Sequence, residues 1–199
     1  MSIDKFFEDE KCHFDGLAEY LDNLEQAQRI YESTNLSAKQ QQLLWDAAEG
    51  SERLTMDYFV PESVDPLKPV IHWGKNSLPA FTKFQKVMCR TSTPGEFSGY
   101  NVYALKSLIG DGYFVARGTS SDEADDHGVV IDYTRVPEEK ATAWPEIHCN
   151  ERRLGRFFYS GNYDYMRRVS CHVSIGRAKK AKAAHSKWMP NWFVLCRED

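Results

Sequence analysis

The texture of the chain after Pro69 constrains its fold more than any other feature. Aromatic and β-branched residues dominate there, and turn-forming residues recur at short intervals, which is the pattern of successive strands. Eight candidate strands follow, over 69–74, 81–90, 97–107, 112–118, 128–136, 155–162, 168–177 and 191–197. Asp111-Gly112, within IGDG, suits a type I′ hairpin turn. RRLGRFFYSGNYDYMRR at 152–168 also admits a partly helical reading. Short antiparallel strands expose unpaired edges unless the sheet closes on itself or packs on a helix. The expectation is an antiparallel meander closing into a barrel or curved sheet. An eight-stranded barrel is just wide enough to enclose one small ligand.

The segment before the strands has a different pattern. Residues 1–65 hold 5 Lys/Arg against 15 Asp/Glu, whereas residues 66–199 hold 20 against 14. The change falls within PESVDPLKP (61–69), whose prolines favour extended backbone over helix. Phe14, Leu17, Leu21, Leu24, Ala27 and Tyr31 recur at spacings of three and four and form one apolar helical stripe. Asn35 or Ser37 is positioned to cap a further helix containing Leu43, Leu44 and Trp45, and Gly50 to stop it. Residues 52–60 read equally as helix or strand. The fold class expected is α+β: an acidic helical segment, 1–65, followed by an antiparallel β domain, 66–199, in one unit.

Composition narrows the function. A formal charge of −4 argues against a dedicated nucleic-acid binder such as a DNA-binding protein. No stretch approaches 18 consecutive apolar residues, so no membrane span is expected. The start, MSIDKFFEDEKCHF, lacks a basic segment followed by an apolar run, so no secretory signal is expected. Cys12, Cys89, Cys149, Cys171 and Cys196 are odd in number and contain no CxxC, which points to reduced thiols in a cytoplasmic protein. GxGxxG, GxxxxGK[ST] and GxSxG are absent, as are HxH and HExxH, so neither a nucleotide cofactor nor a zinc site is implied.

The C-terminal pair, VSIGRA followed by NWFVLCRED, resembles the closing strands of lipocalin-like β-barrels. Plastid-lipid-associated fibrillins are similar, with an Arg ending one strand and an aromatic-apolar run ending in Arg on the next. Trp73, in Trp73-Gly74-Lys75, is similarly placed to the Trp near the start of lipocalin barrels, although the Gly-x-Trp order is absent. The resemblance implies a barrel that binds an apolar molecule, and it implies no catalytic residue.

Four arginines end candidate strands: Arg117, Arg135, Arg177 and Arg197. Alternation puts Tyr113 and Val115 on the face of Arg117, Ile131 and Tyr133 on that of Arg135, Ile175 on that of Arg177, and Leu195 on that of Arg197. An apolar face ending in Arg suits an amphipathic ligand whose carboxylate or phosphate is clamped at the rim. The plainer alternative is surface pairing with Asp or Glu. Tyr113, Tyr133, Trp73 and Trp192 are candidate pocket walls. His172 is a candidate acid/base beside a bound molecule, or an ordinary strand histidine. Asp122, Glu123, Asp125 and Asp126 lack the alternation of a calcium loop and read as a solvated turn. Arg177, Lys179, Lys180, Lys182 and Lys187, beside Trp188 and Met189, form a basic excursion (177–187). It is able to touch an anionic membrane surface or RNA, or simply to serve as a soluble loop.

Three functions fit. The first is a soluble binding protein for a small hydrophobic or amphipathic ligand, which predicts an apolar cavity with charge only at its rim. The second is a cofactor-free isomerase, cyclase or lyase using the same cavity, which predicts a buried ionisable residue inside it with a perturbed pKa. The third is an interaction protein whose sheet is filled by side chains.

Overall fold

The computed structural model describes residues 2–80, 82–103, 112–121, 123, 127–148, 161–180 and 187–199. Four helices precede eight strands: α1 (Phe14–Asp22), α2 (Gln26–Ser33), α3 (Ala38–Ala47) and α4 (Met56–Phe59), then β1 (Val70–Asn76), β2 (Lys83–Arg90), β3 (Glu96–Tyr103), β4 (Tyr113–Gly118), β5 (Val129–Asp132), β6 (Asn162–Arg168), β7 (Val173–Lys180) and β8 (Trp188–Arg197). Each strand pairs antiparallel with the next, and β8 pairs with β1, so the meander is a closed barrel. Closure removes both sheet edges, which resolves the edge problem posed by so many short strands. The α+β reading therefore holds.

Three cross-strand pairs shape the interior. Gly74 sits opposite Phe84, Gly99 opposite Phe114, and Gly176 opposite Phe193. Each ring lies over the glycine beside it, and a Cβ on any of the three would come under 3.0 Å from the ring. A ring laid over a glycine on the neighbouring strand fills the space that the missing side chain leaves. Gly99→Ala is therefore expected to lower stability by about 1–3 kcal/mol, the usual cost of overpacking a core. Urea unfolding checks this, and an unchanged midpoint would show that the ring moves aside freely.

One end of the barrel is plugged by the chain itself. Leu54, Tyr58, Phe59 and Val60 pack with Val70, Met88, Phe97, Ala116 and Val129 in a single core cluster. Arg90 donates to the Val60 carbonyl at 2.8 Å, and the Leu54 amide to the His127 carbonyl at 2.8 Å, so the plug is pinned to the rim. The outside of the wall is also covered. Leu17, Leu21, Leu36, Leu44 and Trp45 pack on Val130, Tyr165, Ile175 and Val194, while Ala141 and Trp144 lie over Val87, Cys89 and Tyr113. Many strands are consequently apolar on both faces.

The helical segment departs from the single stripe expected. The chain breaks at Asn23–Glu25, where Asn23 closes α1 on the Glu19 carbonyl and Glu25 turns extended before α2. This break rotates the second half of the stripe outward: Ala27 is exposed and Tyr31 is 62% exposed. The inner face of α2 is instead polar. Arg29 pairs with Asp199, and Glu32 accepts from the Ile3 amide at 3.2 Å and from Gln28 at 2.8 Å. Ser37 caps α3 through a reciprocal box with Gln40, Gly50 ends the 3-10 turn that follows, and 56–59 is helix.

The strands fit the expected ranges except at the fifth, sixth and seventh: β5 ends at Asp132, short of the expected 128–136, and the chain bends over 133–135. β6 occupies 162–168, and most of the expected strand 155–162 lies outside the described residues, as do residues 109–111 of IGDG. β7 starts at Val173 because Val169 and Ser170 both donate to the Val173 carbonyl, making 169–172 a tight hairpin turn. Among the described residues, no helix is long and apolar enough to cross a membrane.

Candidate functional site

The barrel end opposite the plug holds a cavity of about 220 Å³. Phe84, Tyr103, Ala178, Met189 and Phe193 line its sides, and Lys86, Tyr133 and Asp164 line its floor. Strand alternation puts these groups there. Phe84, Lys86 and Met88 share the inner face of β2, and Asn162, Asp164 and Met166 that of β6. The floor residues are buried: Lys86 is 2% exposed, Asp164 7% and Tyr133 5%.

The Lys86 ammonium is enclosed by acceptors and rings. Nζ donates to Asp164 Oδ2 at 3.2 Å, to Asn101 Oδ1 at 3.2 Å, and to the Tyr133 hydroxyl oxygen. Asn101 Nδ2 donates to the same hydroxyl oxygen at 3.0 Å and to the Gly112 carbonyl at 3.0 Å, which fixes the amide. The ring centroids of Tyr133, Phe114, Phe193 and Phe84 lie 4.9, 5.0, 5.0 and 5.7 Å from Nζ. Three of those rings are the ones laid over glycines, so the Gly–Phe pairs build the cage as well as fill the core.

Burial governs the protonation of this pair. It pushes the Lys86 amine down, offset in part by the nearby Asp164 carboxylate, and pushes the Asp164 carboxyl up, offset in part by Lys86. Both shifts narrow the preference for the ion pair over the neutral pair. A salt bridge this deep is a weak stabiliser, because desolvating two charges costs about as much as their attraction returns.

Deeper in the barrel, His72 is 1% exposed and stacks near Phe59, with ring centroids 5.7 Å apart. Neither ring nitrogen makes a hydrogen bond of ordinary geometry, although backbone groups of Phe59 and Lys86 lie near. Burial first, and then the Arg197 charge, push its pKa down to about 3.

Of the ligand contacts expected from sequence, Tyr133 lines this cavity. Arg117 faces outward and grips Glu123 through two bonds of 2.9 Å. Arg135 holds Glu96 at 2.6 and 3.0 Å on the surface. Arg177 lies on the outer wall between Trp188 and Trp192, 5.4 and 5.0 Å from their rings, and its Nε donates to the Met189 carbonyl. Arg197 lies at the plugged end, 3.4 Å from His172 Nδ1. The four arginines thus stand apart instead of converging on one rim.

Tyr113 also faces outward and donates to the Pro145 carbonyl at 2.6 Å. Trp73 donates to Glu198 at 2.6 Å outside the wall, beside a groove of about 460 Å³ under α2. Trp192 is on the outer wall with Arg177. His172 sits in the 169–172 turn, 3.0 Å from Asp199, with its pKa lowered chiefly by burial. In the basic excursion, Lys179 lies over Trp188 at 5.1 Å, and Lys182 is outside the described residues, as are Asp122, Asp125 and Asp126.

Lys86, Asn101 and Asp164 were not among the sequence candidates. The available signal was parity: a lysine between Phe84 and Met88, and an aspartate two residues before Met166, occupy inward positions of their strands. Cys12, Cys89, Cys171 and Cys196 form no disulfide. Among the described residues, no three His, Cys, Asp or Glu side chains converge as metal ligands. No protein-family model, curated protein or solved structure matches the chain.

Proposed function

We propose that the protein binds a small molecule in the cavity at the barrel end opposite the plug. The polar end of the ligand rests on Lys86, Tyr133 and Asp164, and its body lies against Phe84, Tyr103 and Phe193. The observation that carries this reading is the buried, mutually bonded group of ionisable side chains at the floor of a cavity. An apolar pocket with a few convergent polar groups of shifted protonation is the usual form of a ligand site. Ligand cavities commonly run to roughly 300–1,000 Å³, so a space of about 220 Å³ favours a metabolite-sized ligand over a long-chain lipid. The headgroup contact shifts from the rim arginines to Lys86.

The same observation favours a second reading, an enzyme acting in the cavity without a bound cofactor. Lys86 and Asp164 are 3.2 Å apart with opposed shifts, which is the arrangement of an acid–base pair.

Ala178 lines the cavity but makes none of the polar contacts, so Ala178→Trp is expected to fill the space and leave the floor intact. Saturation-transfer NMR with a set of small aromatic alcohols and carbonyl compounds should detect binding to the wild type and at least about a tenfold loss in the variant, equivalent to 1.4 kcal/mol. Equal binding to both proteins would place the ligand elsewhere.

A further inference from the structure

Resting on the reading of this cavity as a small-molecule site, we propose that Lys86 is a nucleophilic amine that captures a small aldehyde or ketone as an imine. Geometry supports this in three ways. Lys86 is the amine at the cavity floor, so a carbonyl compound entering along Phe84 and Phe193 meets Nζ first among the described nucleophiles. Asp164 Oδ2 lies 3.2 Å from Nζ, within reach of a proton transfer. The Tyr133 hydroxyl also contacts Nζ and is placed to donate to a carbonyl oxygen arriving there. The Phe114 and Phe193 rings, each 5.0 Å from Nζ, give the amine an apolar surround, which suits a condensation that releases water.

The chemistry balances with the groups present. The Nζ lone pair attacks the carbonyl carbon and a C–N bond forms. An N–H proton passes to the former carbonyl oxygen, giving a carbinolamine. Protonated Asp164 gives its proton to the hydroxyl group, the C–O bond breaks, and water leaves. The product is an iminium beside the Asp164 carboxylate, an ion pair held in the same cage. No oxidant, reductant or co-reactant is consumed.

A desolvated lysine is the form of lysine that enzymes use for imine chemistry, because burial raises the share of neutral amine at neutral pH. Each unit of downward shift multiplies that share about tenfold, and burial lowers Lys86. Lys83, exposed at the start of β2, serves as an internal comparison.

The test is reductive trapping. The full-length protein is incubated with benzaldehyde and cyanoborohydride at neutral pH, and the adducts are located by peptide mass mapping. The expected result is one adduct per chain at Lys86, formed at least about tenfold faster than at Lys83, with strong protection in Ala178→Trp. Asp164→Asn keeps the amine but removes the proton donor, and its trapping should slow. Adducts distributed over surface lysines according to exposure, with Lys86 unmodified, would overturn the proposal. Benzyl alcohol separates the two ideas. If it binds in the cavity and Lys86 is still not trapped, the imine proposal falls and the binding site stands. If it does not bind and Lys86 is not trapped, both fall.

Discussion

Lys86→Met is expected to destabilise the protein by about 3–5 kcal/mol, and Asp164→Leu by a similar amount, because each leaves one buried ionisable group without its partner. The double variant Lys86→Met/Asp164→Leu is expected to return to within about 1 kcal/mol of the wild type or to exceed it, since both desolvation costs disappear together. Lys86 faces four aromatic rings, and Asp164 is 7% exposed, so the survivor in either single variant stays largely desolvated. A double-mutant cycle by urea unfolding measures this directly. Strictly additive losses would show that the pair is not coupled. The stable double variant should also fail to bind the small ligands, which would separate the cost of the pair in stability from its use in the site.

The second large effect concerns acid. The unfolded chain protonates His72 near pH 6.5, whereas the folded chain does so at about 3. Between those values the unfolded state holds more protons, so stability is complete above pH 6.5 and falls as pH falls. At about 1.4 kcal/mol per unit, the loss between pH 6.5 and 4 amounts to about 3 kcal/mol. His72→Leu should flatten that limb, and it should cost little at neutral pH because the imidazole nitrogens make no ordinary hydrogen bond. Unfolding midpoints of both proteins at pH 7 and pH 4 test this. Parallel acid limbs would contradict it.

The parts of the fold legible in the sequence are those where one physical signal dominates. Ser37 with Gln40 marks a helix start, and Phe114–Ala116 and Val129–Ile131 mark strands whose inward residues are apolar. β6 was obscured because its inward residues include Asn162 and Asp164, which break the expected alternation. Parity shows which residues share a face, but it does not show which face is the inside when both are covered. Val173, Ile175 and Arg177 face the helices, while Phe193, Leu195 and Arg197 face the barrel interior, although the two runs read alike. For this reason the strand-ending arginines read as one rim in the sequence and are dispersed in space. The site was obscured by the same ambiguity, since a lysine two residues from Phe84 reads as a solvated position until closure turns that face inward.

The ligand is expected at the cavity floor opposite the plug, centred on Lys86 and Asp164. Backbone-amide NMR of the full-length protein, titrated with the small carbonyl compounds and alcohols that bind it, tests this most directly. Shifts are expected to concentrate at Phe84, Lys86, Tyr103, Tyr133, Asp164 and Phe193. Shifts confined to Ala27, Ile30, Trp73 and Val102, along the outer groove beneath α2, would contradict it.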